Sequence, residues 1–143
     1  MVQRDVRWSR YIDNRPTGGS GCNIENSGAT VAINDLLASV HGHGANSTLR
    51  LFPGGWPVGQ AVSFEQIRVR GAFLVSASAT GGAGDEAQLS GSVIVSSLAG
   101  NLLRFLWPRP GVTPTVSPAT RLTNVARDTW SFQTAAGRSY RIS

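Results

Sequence analysis

The sequence predicts a mainly β protein: an antiparallel β-sandwich preceded by an irregular N-terminal segment and one amphipathic helix. Three observations carry this expectation. Short runs rich in Val, Ile, Leu and aromatics, most of them alternating, fill the chain after residue 46. Turn-forming segments separate those runs, with no helical stretch between them. A helical period, with apolar residues three and four apart, occurs once, just before the runs begin.

The elements follow in order. Residues 1–21 hold Pro16, Gly18, Gly19 and Gly21 and show no sustained periodicity, so they read as irregular. Trp8 and Tyr11 are apolar islands there, expected to pack on something. The helix is expected over about 28–41. Ala29, Ala32, Ile33, Leu36, Leu37 and Val40 would line one face of it. Ser27 or Asn26 offers a side-chain oxygen to an orphan N–H at its start. Gly42 and Gly44 would stop it, and His41 in the last turn suits the dipole.

The strand candidates are "TLRLFP", "QIRVRG", "AFLVSASA", "SGSVIVSSLAG", "LLRFLWP", "TRLTNVA", "TWSFQT" and "RSYRI". "PGGWPVG", "ATGGAGDE", "RPGVTPTVSP" and "AAGR" read as turns between them. Pro53, Pro57, Pro108, Pro110, Pro114 and Pro118 fall between or at the ends of these runs, where a missing N–H does least harm. The expected division is therefore 1–45, an irregular entry with its helix, and 46–143, the β-domain. A lone helix with a wide apolar stripe normally belongs to a helical layer, so a longer natural protein is expected.

Bulk properties narrow the function classes. The chain has 143 residues and a 41% hydrophobic fraction, enough for one domain with a real core. No apolar run approaches the ~20 residues of a membrane helix, so no membrane partner is expected. The opening "MVQRDVRWSRYIDNRPTGGSG" has no apolar run of signal-peptide type, so no signal peptide is expected in it. The net charge is +5, and all 13 basic residues are arginine. They are dispersed, with Arg4, Arg7, Arg10 and Arg15 the densest group, and no nucleic-acid-binding motif accompanies them. No nucleic-acid partner is expected. The lysine-free, Gly- and Ala-rich composition suits a GC-rich bacterial genome.

The chemistry-bearing candidates are few. In "CNIENSGATVAIN", Glu25 stands between Asn23 and Asn26, just before the helix. It is either a charge that favours the helix start or a group that does chemistry. Cys22 is alone, so no internal disulfide is possible and no partner base is evident for it. His41 and His43 form an H-x-H pair without a third ligand nearby, so no metal is expected. Trp56, Trp107 and Trp130 are flat enough to stack on sugars, but packing is the expected role. Asn46-Ser47-Thr48 is a glycosylation sequon that matters only in a eukaryotic secretory setting.

Two longer stretches carry a family resemblance. "NIENSGATVAINDLLASVHG" and "LRLFPGGWPVGQAVSFEQIRVRGAFLVSA" resemble the C-terminal part of family 95 glycoside hydrolases and their relatives. These are inverting exo-glycosidases such as α-L-fucosidases and α-L-galactosidases. The likeness covers roughly residues 22–79; beyond that, "SSLAG" and "TAAGRSYRI" are the recognisable pieces. It implies an (α/α)6-barrel catalytic domain followed by a β-domain, with residues 1–45 the remnant of the barrel. The family's general base, the Asp of an Ile-Asp-Gly-Asn-Phe-Gly-Gly segment, would fall on Glu25, with Asn23 and Asn26 as hydrogen-bonding neighbours toward substrate.

Inversion needs carboxylates on both sides of the scissile bond, with room for water between. Here Glu replaces Asp, the segment is one residue shorter, its glycine is lost, and the family's upstream acid has no counterpart. The expectation is thus a fragment inactive alone, whose parent acts on an oligosaccharide or glycoside, is exported, and uses no cofactor. The exposed helix stripe would give a route to homo-oligomers. The alternative is a stand-alone carbohydrate-binding or assembly module without catalysis.

Overall fold

The computed structural model describes residues 30–82 and 87–143. The chain divides into two compact units, Met1–Asn34 and Asp35–Ser143. Of the first, residues 30–34 are described, and they are helical. In the second, residues 35–37 are helical and lead directly into β1 (Ala38–His41). A 3-10 turn at Gly44–Asn46 separates β1 from β2 (Thr48–Leu51). Then come β3 (Ala61–Val69), β4 (Phe73–Gly81), β5 (Ala87–Leu89), β6 (Val93–Ser97) and β7 (Leu102–Leu106). The last four are β8 (Val116–Ser117), β9 (Thr123–Ala126), β10 (Thr129–Gln133) and β11 (Ser139–Ile142).

The strands form two sheets, as the alternating runs require. One has the order β1-β2-β7-β10-β9; the other runs β3-β4-β6-β11-β8, with β5 paired to the end of β4. Every pairing between these strands is antiparallel except β2 with β7, a parallel contact at Leu49 and Phe105. Of "ATGGAGDE", expected as a hairpin turn, Ala79, Thr80 and Gly81 are the last residues of β4 and residues 83–86 lie outside the described residues; β4 and β5 pair antiparallel. All six prolines from Pro53 to Pro118 lie outside the strands.

One core serves both sheets. Along β4 the buried positions are Phe73, Val75, Ala77, Ala79 and Gly81, a strict alternation that turns one face inward. Val93 and Val95 of β6 and Tyr140 and Ile142 of β11 extend that face. Leu49, Leu103, Phe105 and Phe132 bury from the other sheet. Phe132 meets Tyr140 across the sheets, with ring centroids 5.1 Å apart, and meets Phe105 edge-on at 6.2 Å.

The helix expected to reach residue 41 ends at residue 37, and residues 38–41 are strand instead. The stripe ending in Leu37 and Val40 fits a helical period, but Ala38 and Val40 also fit a period of two. A partner decides between them: β1 pairs with β2 from Ala38↔Leu51 to His41↔Thr48. Gly42 then closes the hairpin rather than a helix. Its φ is +92°, and a Cβ there would sit 2.6 Å from the Asn46 carbonyl oxygen. The helix end is held by the loop after β2, where Phe52 N–H donates to the Leu37 carbonyl at 2.9 Å. The chain therefore divides at 34/35 rather than near residue 45.

A second device lies in β3. Phe64 pairs with Ala77 and Ile67 with Val75, so Glu65 and Gln66 together face Ser76. This is a β-bulge. It lets Phe64 and Val69, five positions apart, both point into the core.

Candidate functional site

Glu25, Asn23 and Asn26, the residues singled out for glycoside chemistry, lie outside the described residues, as do Cys22 and the proposed cap at Ser27. The remaining candidates are placed. His41 is exposed at the end of β1, and its Nε2 is 3.0 Å from Ser39 Oγ. His43 is exposed in the hairpin beyond. Among the described residues no group of three or more His, Cys, Asp or Glu side chains is placed to hold a metal. No described helix is long and apolar enough to cross a membrane.

Trp107 and Trp130 pack, as the sequence suggests. Trp107 is 1% exposed, edge-on to Phe105 and covered by the Arg109 guanidinium 5.7 Å from its ring centroid. Trp130 is half-buried against the core. Trp56 is half-buried in the loop after β2. The sequon residue Asn46 is exposed, and its Oδ1 accepts from Arg104 Nη1 at 3.2 Å.

A concavity among the described residues lies elsewhere, where three connections meet. These are the β1–β2 hairpin, the β3–β4 turn through Gly71, and the crossover from β6 to β7. They are stitched together by the backbone. Leu98 N–H donates to the Ala72 carbonyl at 2.8 Å, and Asn101 Nδ2 donates to the Gly71 carbonyl at 3.0 Å. Arg70 Nη1 donates to the Gly42 carbonyl at 3.1 Å.

Between these connections opens a pocket of about 350 Å³. Its apolar side is built by Val40, Leu49, Val69, Phe73 and Leu103. Its polar side is built by Ser47, Arg70, Asn101 and Arg104. No carboxylate lines it. The ion pair found among the described residues is Arg127 with Asp128, so neither pocket arginine has an acidic partner there. Arg104 Nε is buried without a hydrogen-bond partner. An unopposed guanidinium beside an apolar wall is chemically matched to an anion carried on an apolar body.

Sequence reasoning missed this pocket. Its residues come from strands and connections far apart in the chain, and the one local signal, an arginine before a turn glycine in "RVRGAF", also reads as ordinary hairpin chemistry.

The crossover end carries a second cluster, of hydroxyls. Ser97 Oγ is 2.7 Å from Thr134 Oγ1, and Gly100 N–H donates to Ser97 Oγ at 3.0 Å. Thr134 in turn donates to the Asn101 carbonyl. Ser97 N–H donates to the Arg138 carbonyl, Gly137 N–H to the Ser97 carbonyl, and Ala135 N–H to the Tyr140 hydroxyl. These bonds tie the β6–β7 crossover to the β10–β11 crossover. They are structural bonds: no nucleophile–base pair stands among them.

In comparison with known proteins, no family model matches the chain and no curated protein matches it at a significant level.

Proposed function

We propose that residues 35–143 are the non-catalytic β-sandwich domain of a glycoside hydrolase of the family 95 type, bracing a helical catalytic body and performing no chemistry alone. One observation carries the reading. Three of the segments that resemble the family, "IRVRGAF", "SSLAG" and "TAAGRSYRI", are bonded to one another. Leu98 reaches Ala72, Ser97 exchanges backbone bonds with Arg138 and Gly137, and the Ser97 and Thr134 hydroxyls meet. Residues that hold crossovers together are what a structural domain needs. The helix supports the same reading: Ile33 and Leu36 of the apolar stripe are 46% and 53% exposed. Apolar side chains at helical spacing suit a helical layer beside them.

In the parent, Glu25 would be the base that activates water for inversion of a terminal α-linked sugar, with Asn23 and Asn26 beside it. The test is hydrolysis of an aryl α-L-fucoside by this chain. No turnover is expected. Turnover that Glu25→Gln abolishes would overturn the proposal. Affinity electrophoresis in polysaccharide gels separates the other class. Retardation by a glycan marks a carbohydrate-binding module, and unchanged mobility is expected for a bracing domain.

A further inference from the structure

We propose that the pocket between the β1–β2 hairpin, the β3–β4 turn and the β6–β7 crossover binds a small amphipathic carboxylate: a short aromatic or aliphatic body carrying one carboxylate group. This goes beyond the bracing role and does not depend on it. The pocket's volume, about 350 Å³, lies at the lower end of the range that ligand sites occupy, roughly 300–1,000 Å³. Its apolar wall belongs to the core itself, since Leu49, Val69, Phe73 and Leu103 are all buried. Such a wall is preformed and rigid, so an apolar body that enters it gains contact without ordering the site.

The charge is one-sided. Arg70 is exposed, and one of its five N–H donors is committed, through Nη1 to Gly42. The rest can reach an anion at the mouth. Arg104 contributes differently. Its Nη1 is held by Asn46 and its Nε is sealed without an acceptor, so its charge is fixed in place and unneutralised. A nearby carboxylate would relieve that potential without touching Nε. Arg70 is thus the contact, and Arg104 the standing field.

The frame is built to stay open. Gly71 has a φ of +94°, and a Cβ there would meet the Phe73 ring at 2.7 Å. The turn therefore lies close over the Phe73 ring, and the Asn101 side chain locks it there.

The test uses the full chain and hydrocinnamate as probe, followed by amide proton–nitrogen correlation NMR. Saturable shifts are expected at Ser47, Gly71 and Asn101. The neutral amide of the same acid should bind about tenfold more weakly or worse, the scale of one charge-assisted contact. Arg70→Gln should cost a similar factor for the acid and little for the amide. Ala45→Phe places a ring at the mouth from an exposed position and should abolish binding while leaving the remaining spectrum folded. Three results overturn the proposal: no saturable shift, equal binding of acid and amide, or acid binding unaffected by both variants.

Discussion

Two serines one residue apart show how position sets a residue's worth. Ser97 is 1% exposed and joins the hydroxyl chain. Thr134 has one hydroxyl proton, and it goes to the Asn101 carbonyl. Ser97 is therefore the donor in the bond between the two hydroxyls, and its own oxygen accepts from Gly100 N–H. Each hydroxyl proton has a destination. Thr134→Val keeps the shape and removes both roles, leaving the Ser97 proton without a buried acceptor. It should cost about 2 kcal/mol, measured by urea denaturation. Ser96→Ala should cost less than about 0.5 kcal/mol, because the 2.7 Å Ser96–Ser139 pair faces solvent. A similar loss in both variants would show that burial does not govern this chain's hydroxyls. Gly71→Ala acts through the backbone instead. It combines a left-handed φ with a clash on the Phe73 ring and should destabilise by about 2 kcal/mol.

At the scale of the element, the β3 bulge makes a sharp prediction. Deleting Gln66 leaves one residue opposite Ser76 and restores regular pairing. Ile67 and Val69 then follow Phe64 at spacings of two and stay on the core face, because strand side chains alternate with a period of two; deleting Glu65 as well would turn both to the solvent side if Phe64 keeps its place. The single deletion should therefore change stability by less than about 1 kcal/mol, whereas the double deletion loses the burial of those two side chains and should cost about 3 kcal/mol or more, visible as a lowered urea midpoint. A single deletion as damaging as the double one would mean that the bulge does not set the register.

The same periodicities explain what the sequence reveals and what it hides. β4 and β6 are legible because each alternates cleanly about a single buried face. β1 is hidden because "LLASVH" satisfies a helical and an extended period at once. Its pairing with Thr48–Leu51 resolves the ambiguity, and pairing is not local information. β8 is two residues long and has no period to read. The first half of β3 is hidden because the bulge breaks the alternation between Phe64 and Ile67. The pocket escapes for the same reason as β1: Leu49, Val69 and Leu103 become neighbours only after the sheets close.

At the scale of the molecule, the core decides where the domain begins. Every described residue of its buried cluster, from Ala38 to Ile142, belongs to the unit Asp35–Ser143. A chain of residues 35–143 should therefore unfold in one cooperative urea transition, within about 1 kcal/mol of the full chain, since small single domains usually behave as two-state systems. A chain beginning at residue 46, where the turn-rich β pattern alone places the boundary, tests the assignment from the other side. It lacks β1, and with it the core contacts of Ala38 and Val40. It also strips the outer edge of β2, which then presents unpaired N–H and C=O groups to other chains. The expected loss is about 2–4 kcal/mol from the missing burial and pairing, accompanied by concentration-dependent association in light scattering. Equal stability and a clean monomer for both truncated chains would mean that β1 contributes nothing to the sandwich, and that the helix expected through residue 41 is compatible with the β-domain after all.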